Sequence, residues 1–324
     1  MKKKLIIIRP GKLGGVSDHT NILTSIFKKR RKVELIKINR TTQKIKKKFF
    51  NKSDTIILQY SGYGYATKGA PYWLIKEFIS LKEKVNKIII IFHELYAVSY
   101  TPWKSAFWFQ FSQRYIFRKL LAVSDYSLIA TKKNFKKYNK LNFNKKIIYL
   151  PTFSTIGESK KLIIKKENII IIFGLIHNRI NIYKKLGKDL FYWAKKNKVQ
   201  IIDIGKKITD QKLIKDLKNN NVETKGFINE MNIQKIFKKA KYGLLLYDSD
   251  VLDKSSVFNS YANFGIIPIL IDNVKKKLIV KKDYQYLSSF PRIIINLDSI
   301  VKNNWHWYQG HTVIKTTNKI SNLF

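Results

Sequence analysis

A chain of 324 residues has room for two domains with cores of their own, at roughly 100–200 residues per domain. Hydrophobic residues at 45% and aromatics at 14% exclude an intrinsically disordered polymer, in spite of 64 Lys and Arg against 21 Asp and Glu and a formal charge of +43. The lack of cysteine excludes a disulfide framework, a thiolate metal site and a cysteine nucleophile, and fits an intracellular protein.

The charge favours partners that are themselves negative, such as phosphate esters or anionic lipid. Only eight of the basic residues are Arg, and the lysines travel with Ile and Asn along the whole chain, so most of them read as a solvated face. No helix-turn-helix, RRM, KH or zinc signature accompanies them, and nucleic acid is not an expected partner. The longest apolar runs, Ile88 to Phe92 and Ile169 to Phe173, are of strand length, far short of the roughly 20 residues that span a bilayer. Leu5 to Ile8, between Met-Lys-Lys-Lys and Arg9-Pro10, is too short for a signal peptide and reads as a first strand.

Short β-rich runs alternate with amphipathic stretches of helix length, the pattern of parallel βα units. Strands are expected near Lys4–Ile8, Val33–Ile38, Thr55–Gln59, Lys87–Phe92, Ser127–Ala130 and Ile147–Leu150. Ser17 or Asp18 is the expected cap of the first helix, whose Ile22, Leu23, Ile26 and Phe27 share a face. A second helix follows Pro71 and a long aromatic one covers about Lys104 to Val123. Pro151 to Lys166 is polar and reads as a linker. Beyond it strands are expected at Asn168–Phe173, Val199–Ile204, Tyr242–Tyr247, Ile266–Ile271 and Arg292–Ile295, with helices near Asn181–Lys196, Asp210–Asn219, Asn229–Lys239 and Ser255–Phe264.

Open parallel sheets bind ligands outside the carboxyl ends of their strands, so the residues after each strand are the candidates for chemistry. After the first strand, Gly11, Gly14 and Gly15 form a turn that opens a helix, where backbone N–H groups can approach a phosphate or sugar; the plain alternative is a tight strand-to-helix turn, which needs glycine anyway. After the third comes Gln59-Tyr60-Ser61-Gly62-Tyr63-Gly64-Tyr65, whose Tyr60, Tyr63 and Tyr65 suit an acceptor-binding aromatic wall, or a plain aromatic loop. After the fourth come His93 and Glu94, able to move a proton or hold a sugar hydroxyl, or else a hydrogen-bonded structural pair. In the second half, Lys254, Ser255 and Ser256 open a helix, combining dipole, hydroxyls and an ammonium around a phosphate; the plain alternative is a Ser255 helix cap. Arg179 and Lys206 follow the first two strands of that half and are expected to face the same crevice, or to be plain surface charges. No Asp-x-Asp stands where a transferase would hold a divalent ion, so no metal is required and none is expected.

With these pieces in place the chain resembles glycosyltransferases of the GT-B fold, most like the retaining enzymes of family 4. Gly14-Gly15-Val16-Ser17-Asp18-His19 is similar to that group's GGxxxH loop, which adds His19 to His93 and Glu94 as catalytic candidates. Lys225-Gly226-Phe227-Ile228 and the segment to Tyr247 resemble the family's strand–Gly–helix–strand passage. Lys254 to Pro268 resembles its donor-binding helix, with Asn259 on it. Two departures stand out. The paired glutamates of that helix are missing between Val251 and Asn259, and Gly174 is followed by Leu175 where the family carries Arg, leaving Arg179, Lys184 or Lys185 to neutralise a diphosphate.

The resemblance implies an α/β protein of two Rossmann-like, doubly wound domains facing an interdomain cleft. Residues 1–155 would bind acceptor, 166–300 would bind donor, and 301–324 would be a C-terminal helix crossing back to the first domain. It implies a hexosyltransferase with no permanently bound cofactor. The donor would be a UDP-, GDP-, ADP- or dTDP-hexose, held by Gly14, Gly15, Gly174, Arg179, Lys206, Gly226, Lys254, Ser255, Ser256 and Asn259. The acceptor would be a surface-polysaccharide or lipid-linked glycan, and the location cytoplasmic. Peripheral contact with the anionic inner face of the plasma membrane is a further expectation, through the aromatic stretch near Trp103 to Leu121, which can equally be a buried core helix. The competing readings are a catalytically silent protein of GT-B shape and, further off, a basic nucleic-acid-binding protein.

Overall fold

In the computed structural model of the chain the apolar runs become the central strands of two parallel sheets. Residues 4–11, 14–40, 44–45, 50–140, 146–271, 285–291 and 297–324 are described. Unit 1 comprises Met1–Pro151 with Val313–Phe324, and unit 2 comprises Thr152–Thr312.

In unit 1 the order is β1 (Leu5–Pro10), α1 (Gly15–Lys28), β2 (Val33–Ile38), β3 (Thr55–Tyr60), α2 (Gly62–Tyr65), α3 (Tyr72–Lys82), β4 (Lys87–Phe92), α4 (Ser105–Val123), β5 (Tyr126–Ile129), α5 (Lys132–Asn139) and β6 (Lys146–Tyr149). The strands lie β2-β1-β3-β4-β5-β6, every pair parallel. β1, β3 and β4 are buried on both faces, which is why they read as unbroken Ile and Leu rather than as an alternation. Ile6, Ile8, Ile56, Leu58, Ile88 and Ile90 share a core with Leu74, Phe78, Ile116 and Phe117 of α3 and α4. Helix α11 (Val313–Ser321) completes this unit beside α1: the Phe27 and Phe324 rings lie 5.7 Å apart, Lys319 Nζ donates to Tyr149 O at 2.7 Å, and Lys87 Nζ donates to Leu323 O at 3.0 Å.

Unit 2 runs β7 (Glu167–Phe173), α6 (Ile176–Lys196), β8 (Gln200–Ile204), α7 (Gln211–Asn219), β9 (Glu223–Gly226), α8 (Glu230–Lys239), β10 (Ala240–Leu246), a 3₁₀ turn (Ser249–Lys254), α9 (Ser256–Asn263), β11 (Ile267–Ile271) and α10 (Asp298–Gln309). Its strands lie β11-β10-β7-β8-β9, again parallel. Successive β7 residues divide between two cores: Ile169 and Ile171 face Phe237, Phe258 and Tyr261, whereas Ile170 and Ile172 face Ile182, Leu190 and Trp193 of α6. Gly243 in β10 lets the Tyr261 ring lie on the sheet, since a Cβ there would fall 2.5 Å from Tyr261 Cε2.

Several expectations need correction. α1 is capped by Gly14, without a side-chain cap, and Ser17 and Asp18 lie inside its first turn. The tyrosine loop is the short helix α2. Its Gly62 and Gly64 are set by crowding, because a Cβ would meet Gly69 O at 2.5 Å or Pro10 Cγ at 2.5 Å. The stretch expected to link the halves is part of unit 2: Thr152, Phe153, Ser154 and Ile156 are buried, and Lys166 Nζ donates to Phe237 O, Lys238 O and Phe264 O at 2.7–3.2 Å, closing the ends of α8 and α9. The change of unit therefore falls at 151/152, not between 155 and 166. The segment 301–324 is not one helix. α10 belongs to unit 2, packing Trp307 at a tilt against Phe258 with ring centroids 5.5 Å apart, and only Val313 onward belongs to unit 1. The strand expected at Arg292–Ile295 lies outside the described residues.

Candidate functional site

In unit 1 the strand order reverses between β1 and β3, because β1 is followed by β2 on one side and β3 on the other. A doubly wound sheet opens its ligand crevice at such a switch point. The polar residues of the unit converge there. Arg9, Gln59 and His93 end β1, β3 and β4, and His19 reaches in from α1. The His93 Nε2 lies 2.7 Å from Gln59 Oε1, an oxygen that can only accept, so Nε2 carries the proton. The His19 ring packs edge-on against His93 with centroids 4.9 Å apart and also hydrogen-bonds Gln59. Burial, and next the neighbouring His93, hold the His19 pKa well below the ordinary imidazole value, so His19 is neutral near pH 7 and acts as a hydrogen-bonding group. Glu94 is exposed and accepts from Ser61 Oγ at 3.2 Å.

This edge also gathers buried polar atoms that lack a hydrogen-bond partner among the described residues: Arg9 Nε, Ser17 Oγ, Gln59 Nε2 and the Tyr60 hydroxyl. Such atoms cost stability unless something satisfies them. Gly14 (φ +144°) and Gly15 differ from the crowded glycines of α2, for a Cβ on either meets no described atom within 4 Å. Gly15 is helical with no positive φ, so neither strain nor packing within the described residues accounts for a glycine there.

The expected acceptor wall does not form. Tyr60 and Tyr65 are fully buried, Tyr60 against Phe92 and Tyr65 with its hydroxyl donating to Gln59 O at 3.1 Å, so neither ring offers a face to a sugar; Tyr63 is half-buried. Gln59 and Ser17 were missed as site residues. For Gln59 the signal is a polar residue at the end of an apolar strand, as in Ile-Ile-Leu-Gln, whereas Ser17, in the first turn of α1, carries no such mark.

In unit 2 the reversal falls between β7 and β10. Gly174 (φ +129°) ends β7, Gly226 (φ +64°) ends β9, and the turn after β10 leads through Lys254 into α9. Ser255 caps α9, its Oγ accepting from Phe258 N at 3.2 Å, so the plain reading of that serine holds. Lys254 and Ser256 are half-buried, Lys206 is exposed, and all three stand at the carboxyl edge.

Arg179 and Asn259 are not available to a ligand. Arg179 is 1% exposed, ion-paired with Asp203, and donates to Gly174 O at 3.1 Å and to Lys206 O. Tyr183 completes the cluster by donating to Asp203 Oδ2 at 3.0 Å. A single buried cation thus ties the turns after β7 and β8 together instead of neutralising a diphosphate. Asn259 is fully buried, donating to Ser255 O at 2.8 Å and receiving His311 Nε2 at 2.8 Å on its oxygen.

Burial pushes the His311 pKa down to about 3, against the Trp307 carbonyl, which pulls it up. A histidine kept neutral in the folded state and titrating near 6.5 when unfolded stabilises fully above pH 6.5 and progressively less as pH falls toward 3. Urea unfolding at pH 7, 6 and 5 is expected to show unit 2 losing about 2 kcal/mol by pH 5 from this group, at about 1.4 kcal/mol per pH unit. In His311→Gln that loss should vanish; an unchanged slope would refute the assignment.

No protein-family profile matches the chain, and no curated protein does. Solved structures do match in fold. Anabaena HepE in complex with UDP and glucose aligns over 100% of this chain and 99% of its own, at TM-score 0.59 and 10% identity. An α-glucosyltransferase (AGT) in complex with UDP aligns over 100% and 99%, at 0.56 and 11%. The pneumococcal O-GlcNAc transferase GtfA, with UDP and GlcNAc, aligns over 88% of this chain at 0.56 and 14%, and the chain spans 58% of GtfA. The α/β architecture of two parallel sheets is the GT-B fold.

Proposed function

We propose that the protein is a glycosyltransferase that moves a hexose from a nucleotide sugar to a surface-polysaccharide or lipid-linked glycan, on the cytoplasmic side of the membrane. The observation that carries this reading is the open space before Gly14 and Gly15, beside buried polar atoms that lack partners, at the switch point of a GT-B sheet. The UDP in the HepE, AGT and GtfA complexes supports a uridine diphosphate sugar over the GDP, ADP and dTDP alternatives.

In the proposed reaction the acceptor hydroxyl oxygen bonds to the anomeric carbon. The bond from that carbon to the diphosphate oxygen breaks, the nucleoside diphosphate leaves with the electron pair, and the hydroxyl proton is released. His93, half-buried, and Glu94, exposed, receive the hydroxyl at the unit 1 edge, and neutral His19 and Gln59 orient it. Within unit 1 the Gly14 and Gly15 amides offer hydrogen-bond donors to the ligand, and within unit 2 Lys254, Lys206 and the Ser256 end of α9 offer charge and dipole to a diphosphate.

Gly15→Ala tests this directly. With no clash and an ordinary helical φ at the first position of α1, alanine should leave the helix as stable or slightly more so. The same methyl group occupies the proposed ligand space, so kcat/KM should fall tenfold or more, roughly 1.4 kcal/mol. A variant that is both at least as stable and fully active would sink the reading. Lys254→Ala is expected to abolish most of the melting-temperature rise given by UDP, and His93→Ala to lower turnover with little change in Tm.

One observation favours a binding protein of the same shape without turnover: Arg179 and Asn259 are spent on internal bonds. Binding of UDP-sugar with no release of UDP over any acceptor would decide for it.

A further inference from the structure

Helix α4 is turned inside out over its first turns. Its buried face there carries Gln110 and Gln113, while Trp108 and Phe111 stand 67% and 66% exposed. The exposed residues Lys104, Trp108, Phe111, Tyr115, Arg118, Lys119 and Ala122 recur at steps of about four and three, one stripe along a helix. The buried amides explain the inversion. Gln113 accepts from Ala97 N at 2.7 Å and donates to Lys68 O at 3.0 Å, and Gln110 donates to Ser99 O at 3.2 Å. They tether the loop before the helix, which adds Tyr100 (91% exposed) and Trp103 (89%) to the same region of chain. Tyr72 of α3 extends the stripe, its ring 6.2 Å from Tyr115.

The rim of this aromatic face is cationic. Lys68 Nζ lies 5.0 Å from the Phe109 ring centroid and Lys119 Nζ 5.5 Å from that of Tyr115, and Leu95 to Val123 contains no carboxylate. We propose that this face of unit 1 seats on an anionic lipid bilayer, the Trp, Tyr and Phe rings entering the headgroup layer and the lysines meeting lipid phosphates. Protein–protein interfaces enrich aromatics but deplete lysine. Aromatics flanked by Lys and Arg without carboxylates are instead the composition of a helix that lies in the plane of a membrane surface. Among the described residues no helix is long and apolar enough to cross a membrane, so contact through these elements is with the surface. This inference goes beyond the transferase reading and stands without it.

The test is co-sedimentation of the full chain with phosphatidylglycerol–phosphatidylcholine vesicles and with phosphatidylcholine alone, at low and high salt. The wild type is expected to bind the anionic vesicles, to keep part of that binding at high salt, and to shift its tryptophan emission to the blue. The double variant Trp108→Ser, Phe111→Ser changes only exposed side chains and should keep its Tm. Its partition should drop about tenfold or more, while Lys104→Ala, Lys119→Ala should weaken binding at low salt and leave the high-salt fraction nearly unchanged. Two results would overturn the proposal. One is a double variant that binds like the wild type, which would assign the binding to the overall charge. The other is a wild-type dimer that becomes monomeric in the double variant, which would make a second copy the occupant.

Discussion

Arg179→Met is expected to destabilise unit 2 by about 3–5 kcal/mol, because it leaves the Asp203 carboxylate buried beside Tyr183 without its cation and strips the donors from Gly174 O and Lys206 O. For a unit of this size that lowers Tm by roughly 10 °C or more. Pairing the change with Asp203→Leu removes the orphaned charge, and the double variant should recover a large part of the loss. The outcome separates two roles that the sequence leaves mixed. A ligand-facing arginine would give normal stability and weak UDP binding, whereas a buried staple gives poor stability first. Calorimetry of the single and double variants, with and without UDP, distinguishes them.

Gly243→Ala is the second large effect. The added methyl group would lie 2.5–2.7 Å from three atoms of the Tyr261 ring. That ring is buried on α9, its hydroxyl held by Leu244 O and Ile171 O at 3.3 and 3.4 Å and its edge packed on Phe237, so it cannot swing aside. Overpacking of this kind costs about 1–3 kcal/mol, and a ring pinned at both ends puts the expectation at the upper end. Tyr261→Val opens the space, so adding Gly243→Ala to it should cost far less than in the wild-type background. Equal costs in the two backgrounds, measured by urea unfolding, would mean that the strand and not the ring resists the methyl.

Most of the fold was legible because strands buried on both faces leave a coarse mark. Val33–Ile38 and Lys87–Phe92 are expected with the bounds found, and the helix starts expected at Asp210, Asn229 and Ser255 fall on the residues that cap α7, α8 and α9, each side chain accepting from a backbone N–H three residues on. β9, Glu223–Gly226, has no apolar run, and only the likeness to a known family pointed to a strand there. The sites were less legible, since a residue type at a strand end does not tell which way it is satisfied. Arg179 reads as a phosphate ligand until Asp203, 24 positions away and itself unremarkable in sequence, is found against it. The tyrosines after β3 failed for a related reason. Glycine alternating with tyrosine suggests an open loop, yet here the glycines exist because Gly69 and Pro10 crowd them, and the rings turn inward. Gln59 carries only a faint local mark, a polar residue ending an apolar strand, and that mark does not tell that two histidines from other elements share its side chain.

Unit 1 is closed by Val313–Phe324, although its sheet is complete by Tyr149. The ribosome makes the whole of unit 2 between those two moments. At about 5–20 residues per second, the cover over Phe27 arrives some ten to thirty seconds after the strands it protects. During that interval the nascent first unit must tolerate an uncovered apolar flank around Phe27, a surface that a chaperone can bind. It also means that the two units are not separable by one cut: a fragment ending at Pro151 would lack a piece of its own core, and recombining it with a synthetic 313–324 peptide should restore its protection from proteolysis.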